Sequence, residues 1–302
     1  MPSPFTRKFR ELLPGQRSEL TLIRPDGSDR EVIFVADEII EAPNWHPDNY
    51  LVFNAGGELW RIGLDGSGLA RIESGDIREL NNDHVLSPDG RTVYASNRDG
   101  HIYAVPVEGG TPRRVSNTHD TPHHYYLHGI SPDGLTLSYV AVEAPAGTRR
   151  INIFTLPAAG GPDTRLSDVD YPNDGPEYSP DGQWIYFNAE RDARRPGHAQ
   201  CYRMRPDGSG IEQLTHDERV NWFPHVSPDG AAIVYISYPE GTLGHPADKA
   251  VILRFMNPDG SGQRDIIGFN GGQGTINVNS WSPDSTRFAY VAYPIEPQPS
   301  AG

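Results

Sequence analysis

The 302-residue chain carries 26 Lys and Arg against 40 Asp and Glu, a net charge of -14 that repels phosphate backbones and argues against nucleic acid as a partner. Its 36% hydrophobic content, 32 Gly and 28 Pro suit a turn-rich all-β protein, and no apolar run approaches the ~20 residues that a membrane span needs. The one cysteine, Cys201, permits no internal disulfide and reads as a small core residue in a strand rather than a reactive thiol.

Residues 1–18 form an N-terminal tail. Its opening, MPSPFTRKFRELLPGQ, lacks the apolar centre of a secretory signal, so a cytoplasmic location is expected, or a periplasmic one if a leader has been removed. The stretch SELTLIRPDGSDREVIFV then supplies two strands joined by a Gly turn. No partner strands precede it.

From residue 46 onward one unit recurs. HPDN begins at His46, SPDG at Ser87, Ser131, Ser179 and Ser227, and SPDS at Ser282, giving intervals of 41, 44, 48, 48 and 55 residues. These lie in or near the range of four-stranded propeller blades. Each tetrad joins a short strand ending in an apolar residue to an alternating run such as RTVYAS or QWIYFN. Pro presets φ, Asp accepts local backbone hydrogen bonds and Gly tolerates positive φ, so the tetrad is a tight turn. A third strand (ELWRI, HIYAVPV, INIFTLP), a second Gly-rich turn and a fourth strand complete the unit. Such a sheet cannot bury both faces alone, so copies must stack around an axis.

The predicted fold is therefore all-β: a six-bladed β-propeller over residues 19–293, with four antiparallel strands per blade. INVNSWSPDSTRFAYVAY begins the last blade and the N-terminal strands close it. Residues 294–302 form a C-terminal tail.

Up-and-down connectivity puts the short SPDG and DGSG turns on one face and the long loops on the other, which marks the long-loop face for binding. His84 and His128 stand three residues before their serines, and Glu177 and His225 two before theirs, all on innermost strands. Three imidazoles and a carboxylate converging on the axis form a candidate site for a divalent metal such as Mn, Zn, Fe or Ca. The bland alternative is that each hydrogen-bonds to a neighbour or to channel water. Asp83, Asp174, Asn221 and Gln273 lie slightly higher as candidate ligand contacts. They are joined by Tyr126, within the aromatic run HHYYLH, and by Trp222, which either walls a pocket or caps a blade. His245 and Lys249, in the longest loop between second and third strands, are the candidate acid/base groups. No GxSxG is present, so Ser/His/Asp acyl transfer has no scaffold.

The xxSPDGxxIxF unit with its following xIYxxxxDGS segment resembles the TolB-type β-propeller repeat over residues 19 to 293. Proteins of that group serve as docking modules, as entry domains of prolyl-oligopeptidase-type peptidases, and as the catalytic body of oligogalacturonate lyases. TolB itself is periplasmic and carries an additional N-terminal domain. The lyases hold a metal through histidines and a glutamine opposite an arginine base. By analogy His84, His128, His225 and Gln273 play similar parts here, while no arginine stands out as the base. Two functions are thereby implied. One is a metal-dependent carbohydrate lyase or hydrolase acting on a small polar or saccharide-like ligand, with a metal acidifying a C–H or water. The other is a non-catalytic module that binds a protein partner.

Overall fold

The computed structural model describes residues 10–144 and 148–295. The outer parts of both predicted tails, 1–9 and 296–302, and the centre of the loop AVEAPAGTRR lie outside the described residues.

The strands follow the repeat. β1 (Ser18–Ile23) and β2 (Glu31–Ala36) come first. The first blade follows as β3 (Glu41–Trp45), β4 (Tyr50–Ala55), β5 (Glu58–Gly63) and β6 (Ala70–Ile72). The second is β7 (Leu80–Leu86), β8 (Thr92–Asn97), β9 (Ile102–Pro106) and β10 (Arg113–Arg114). The third is β11 (His123–Ile130), β12 (Thr136–Glu143), β13 (Arg150–Pro157) and β14 (Thr164–Arg165). The fourth is β15 (Asn173–Tyr178), β16 (Ile185–Ala189), β17 (Gln200–Met204) and β18 (Glu212–Gln213). The fifth is β19 (Val220–Val226), β20 (Ile233–Tyr238), β21 (Lys249–Met256) and β22 (Arg264–Gly271). β23 (Phe288–Ala292) belongs to the sixth. Every pairing is antiparallel, and the described residues contain no helix. None is therefore long and apolar enough to cross a membrane.

The sixth blade closes as the sequence expects. β1 pairs with β2 on one side and with β23 on the other, and all six of its residues are buried. The innermost position is held by residues 275–281, which lie against β23 through a bridge at Trp281 and Phe288 rather than a full ladder. Residues 10–17, expected as tail, dock on the propeller instead, with Gln16 bridging to Ile295.

The tetrad turns repeat one set of bonds. Ser87 Oγ donates to Asp89 Oδ1 at 2.6 Å, that oxygen accepts the Arg91 N–H at 3.1 Å, and Gly90 sits at φ 69°. Ser227, Asp229 and Gly230 repeat it. The serine hydroxyl first, then the backbone N–H, hold Asp89, Asp133, Asp181, Asp229 and Asp284 below the usual carboxylate range.

Blades lock together through their second turns. Gly66 has φ 77°, and a Cβ added there would overlap the Ile33 carbonyl oxygen of the sixth blade. Gly208 and Gly260 occupy the same position against the carbonyls of Leu166 and Leu214. Gly66→Ala is expected to cost about 2 kcal/mol or more, combining positive φ with a backbone clash. Chemical denaturation checks this, and an unchanged midpoint would refute the contact.

Between neighbouring blades the faces are apolar. Leu127, Tyr125 and Tyr139 of the third blade pack with Val85, Tyr94 and Ile102 of the second. Cys201 is fully buried in such a layer, and burial pushes its thiol upward, as its reading as a core residue requires.

Candidate functional site

The site originates in a flaw shared by the innermost strands. In β3, β7, β11, β15 and β19 the pairing register slips just before the tetrad, between Glu41 and Asn44, Leu80 and His84, Leu127 and Gly129, Asp174 and Glu177, and Trp222 and His225. Ala42, Gly175 and Phe223 take positive φ there, at 54°, 62° and 51°. Such bulges bend a strand and re-aim its side chains. The residues five before each tetrad are Glu41, Asn82, Tyr126, Asp174, Trp222 and Asn277 (46 minus 41 and 179 minus 174 both give 5). They gather at the long-loop end of the channel.

At its centre are two imidazoles flanking one carboxylate. His128 Nε2 lies 3.0 Å from Asp174 Oδ1, and its Nδ1 faces the Asn277 carbonyl oxygen at 3.4 Å. Both nitrogens meet acceptors, so both carry protons. Burial disfavours that charge, but Asp83 and the bond to Asp174 outweigh burial and hold His128 up at about 9. Asp174 stays below the usual range despite burial, because His128 hydrogen-bonds to it. Burial raises Asp83 to about 6, against the pull of His128.

His245 stands on the other side of Asp174, with Nε2 4.0 Å from Oδ2. Its Nδ1 donates to Gln273 Oε1, and burial pushes its pKa down, so Nε2 keeps a lone pair. Trp222 and Phe223 pack on its ring at centroid distances of 4.5 and 5.0 Å, and Phe223 also stacks on His128 at 5.5 Å. Gln273 Nε2 reaches Asn82 Oδ1 at 3.2 Å, and Asn277 Nδ2 reaches Gln273 Oε1 at 3.2 Å. Arg10 fastens the rim, donating to the Gln273 carbonyl at 2.9 Å and to Asp248 at 2.8 Å, over the Tyr293 ring at 4.1 Å.

The structure thus brings together Asp83, His128, Asp174, Gln273 and His245. Tyr126 borders them, its hydroxyl pKa raised first by burial and then by Asp83. Trp222 is a buried wall behind His245 rather than an exposed contact. Asn221 does not take part: it is buried in the fifth blade, accepting from Ser237 Oγ at 2.7 Å and donating to Asp217 at 3.0 Å. Lys249 opens β21 as an exposed residue and makes no hydrogen bond or ion pair with the cluster. Within the HHYYLH run Tyr125 is buried, stacked on Tyr139 at 4.6 Å and donating to Asp163. Glu41, Asn82, Asn277 and Arg10 were missed. Aligning the copies five residues before the tetrad would have found the first three; Arg10, in the tail, carries no comparable signal.

The family model of the TolB beta propeller domain matches residues 129–247. An uncharacterized protein of Agrobacterium fabrum is 38% identical over 292 residues, covering 94% of this chain and 96% of its own. A solved structure with a provisional TolB assignment, from Agrobacterium tumefaciens, superposes with a TM-score of 0.84 at 37% identity, covering 92% of this chain and 98% of that one. This chain belongs to the TolB-like β-propeller family.

Other TolB-type likenesses are more distant. The Tol-Pal system protein TolB of Francisella tularensis is 24% identical over 89% of this chain and 60% of its own. An oligogalacturonate lyase in complex with manganese shares the fold alone, at 13% identity and a TM-score of 0.56 over 92% of this chain and 91% of that one.

This TolB-like propeller does not assemble the expected metal quartet. Among the described residues no three His, Cys, Asp or Glu side chains are placed to hold an ion. His225 Nδ1 lies 2.6 Å from Glu177 Oε2 and its Nε2 2.8 Å from the Ile276 carbonyl, so both nitrogens already face protein oxygens. Glu177 also accepts from the Val226 N–H at 2.9 Å and from Asn279 at 2.7 Å. His84 Nδ1 bonds Asn44 Oδ1 at 2.7 Å, and Asn44 donates to the Asn279 carbonyl at 2.9 Å. Burial pushes His84 down to about 3, keeping it neutral. His84, Asn44, Asn279, Glu177 and His225 thereby form a hydrogen-bonded belt across the channel, while His128 belongs to the pocket at its loop end. Strand alternation does not account for the split, since His84 and His128 hold the same position relative to their tetrads; their strands differ in where the register slips, between Leu80 and His84 in one and between Leu127 and Gly129 in the other. Stoichiometric metal lost from a His84→Ala/His225→Ala double variant would overturn this correction.

Proposed function

We propose that this TolB-like propeller binds a small polar, saccharide-like ligand in the loop-end pocket, with His245 as the group that takes a proton from it. The observation that carries this reading is the opposition of the two imidazoles across Asp174: His128 has given both N–H groups to acceptors, and His245 keeps Nε2 free 4.0 Å from the same carboxylate. Pairs of titratable groups pushed apart in this way cluster at functional sites.

In this reading a ligand hydroxyl, or an activated C–H, donates to His245 Nε2. Gln273 fixes the ring through Nδ1, and Trp222 and Phe223 hold its plane. Asp174 steadies the imidazolium that forms, and His128 in turn orients Asp174. No step passes through a metal, because the belt residues do not fit one. The TolB resemblance carries a periplasmic setting with it, in place of the cytoplasmic expectation.

The test is a ligand-observed NMR screen of neutral and charged saccharides. Any saccharide bound by the wild type should lose at least about tenfold in affinity in His245→Ala, about 1.4 kcal/mol, with the melting profile preserved. Equal binding by His245→Ala and Asp174→Asn would refute the assignment.

A second reading, a protein-docking propeller, is favoured by the opposite mouth of the channel. There Pro47, Pro88, Pro132, Pro180, Pro228 and Pro283 ring a cavity of about 520 Å³, with Trp45 and Trp281 in its wall. Asp89, Asp133, Asp181, Asp229 and Asp284 each follow one of these prolines and are held below the usual carboxylate range, so an apolar segment flanked by Lys or Arg is the complementary partner.

A further inference from the structure

Within the loop-end pocket the carboxylates are not all ion-paired among the described residues. Asp174 is answered by His128 at 3.0 Å and Asp248 by Arg10 at 2.8 Å. Two carboxylates remain. Asp83, 6% exposed, receives a side-chain bond from the Asn81 amide alone, at 2.9 Å. Glu41 receives no hydrogen bond or ion pair from the described residues, and it packs where a Cβ on Gly274 would come within 2.7 Å of its Oε1. They stand on the innermost strands of adjacent blades.

We propose that the pocket selects a polyol-like ligand bearing a primary ammonium group, seated against Glu41 and Asp83. This rests on the pocket reading above and names the charge class of its ligand. An ammonium brings three N–H donors and one positive charge, matching two acceptor groups that make no ion pair with a cation among the described residues. A uronate would set a third carboxylate beside them and is rejected by like charge. His245 Nε2 and the Gln273–Asn82 pair then face the hydroxyl-bearing part of the ligand.

A proton linkage accompanies the selection. Burial raises Glu41 to about 7, with Arg10 and Arg98 pulling it down and Asp83 pushing it up. An ammonium favours the ionised form, so affinity rises with pH through neutrality and binding releases a proton.

The experiment is calorimetric titration of the full chain with three polyols of one carbon skeleton: D-glucamine, D-sorbitol and D-gluconate. At about pH 8, D-glucamine is expected to bind at least about tenfold more tightly than D-sorbitol, with D-gluconate weakest. Its affinity should fall towards about pH 6, and Glu41→Gln or Asp83→Asn should bring it to the level of D-sorbitol. If Glu41→Gln fails to fold, Asp83→Asn and the wild-type pH series decide. Equal binding of all three polyols would overturn the charge selection and leave the pocket reading standing. No binding of any would overturn both. Calcium chloride binding to a protein silent towards D-glucamine would overturn the ammonium and show an inorganic cation site instead.

Discussion

A chain lacking residues 18–36 is expected to lose its cooperative thermal transition. β1 is the interior of the sixth blade: Leu20, Leu22 and Ile23 are at most 1% exposed, and the strand is hydrogen-bonded to β2 and β23 along both edges. Its removal strips β23 of its outer partner. It also opens the core in which Leu20 and Leu22 pack with Phe53 and Leu51 of the first blade and Val291 of the sixth. The buried side chains of Leu20, Leu22 and Ile23, at about 1.5–3 kcal/mol each, are together comparable with the 5–15 kcal/mol by which domains are ordinarily stable, and the two lost strand ladders add to them. Circular dichroism on heating checks this. An unchanged sigmoidal melt would mean that the ring does not depend on joining its two ends.

Glu177→Ala is expected to cost about 3–5 kcal/mol and to lower the melting temperature by roughly 10 °C. Glu177 is 6% exposed and takes His225, Asn279 and the Val226 N–H on its two oxygens. Truncation strands the His225 ring, whose other nitrogen is already committed to the Ile276 carbonyl, and frees the Asn279 amide. Glu177→Gln keeps the shape and one acceptor, so it should fall between the two. A Glu177→Ala protein as stable as the wild type would show that water replaces the carboxylate and that the belt is not structural.

The fold was legible because its chemistry is local. The bonds from Ser87 to Asp89 and from Asp89 to Arg91 each span two residues, so a tetrad declares a turn wherever it occurs. The same holds for the blade count and for closure, since β1 and β2 are recognisable as half a blade without its other half. Two-residue fourth strands such as β10 and β14 were less legible, because neighbouring blades decide where the outer edge leaves the sheet.

The candidate site was legible in composition and only in part in position. Asp83, His128, Asp174, Gln273 and His245 meet at the loop end of the channel, so His128 parts from the quartet expected of it, whereas His84, Glu177 and His225 serve the belt. Strand alternation alone cannot separate these groups. Phe223 shows why: its φ of 51° is imposed by packing against His128, Trp222 and His245, not by any local preference of phenylalanine.

The sequence by itself determined the number of blades, the turns that define them and the strands that close the ring, since each is written in hydrogen bonds between near neighbours or in an apolar pattern of fixed period. Only the tertiary structure decided which polar residues look into the channel. A register slip before five of the six tetrads is stabilised by side chains from other blades, and every such slip turns the residues on either side of it to face a different way.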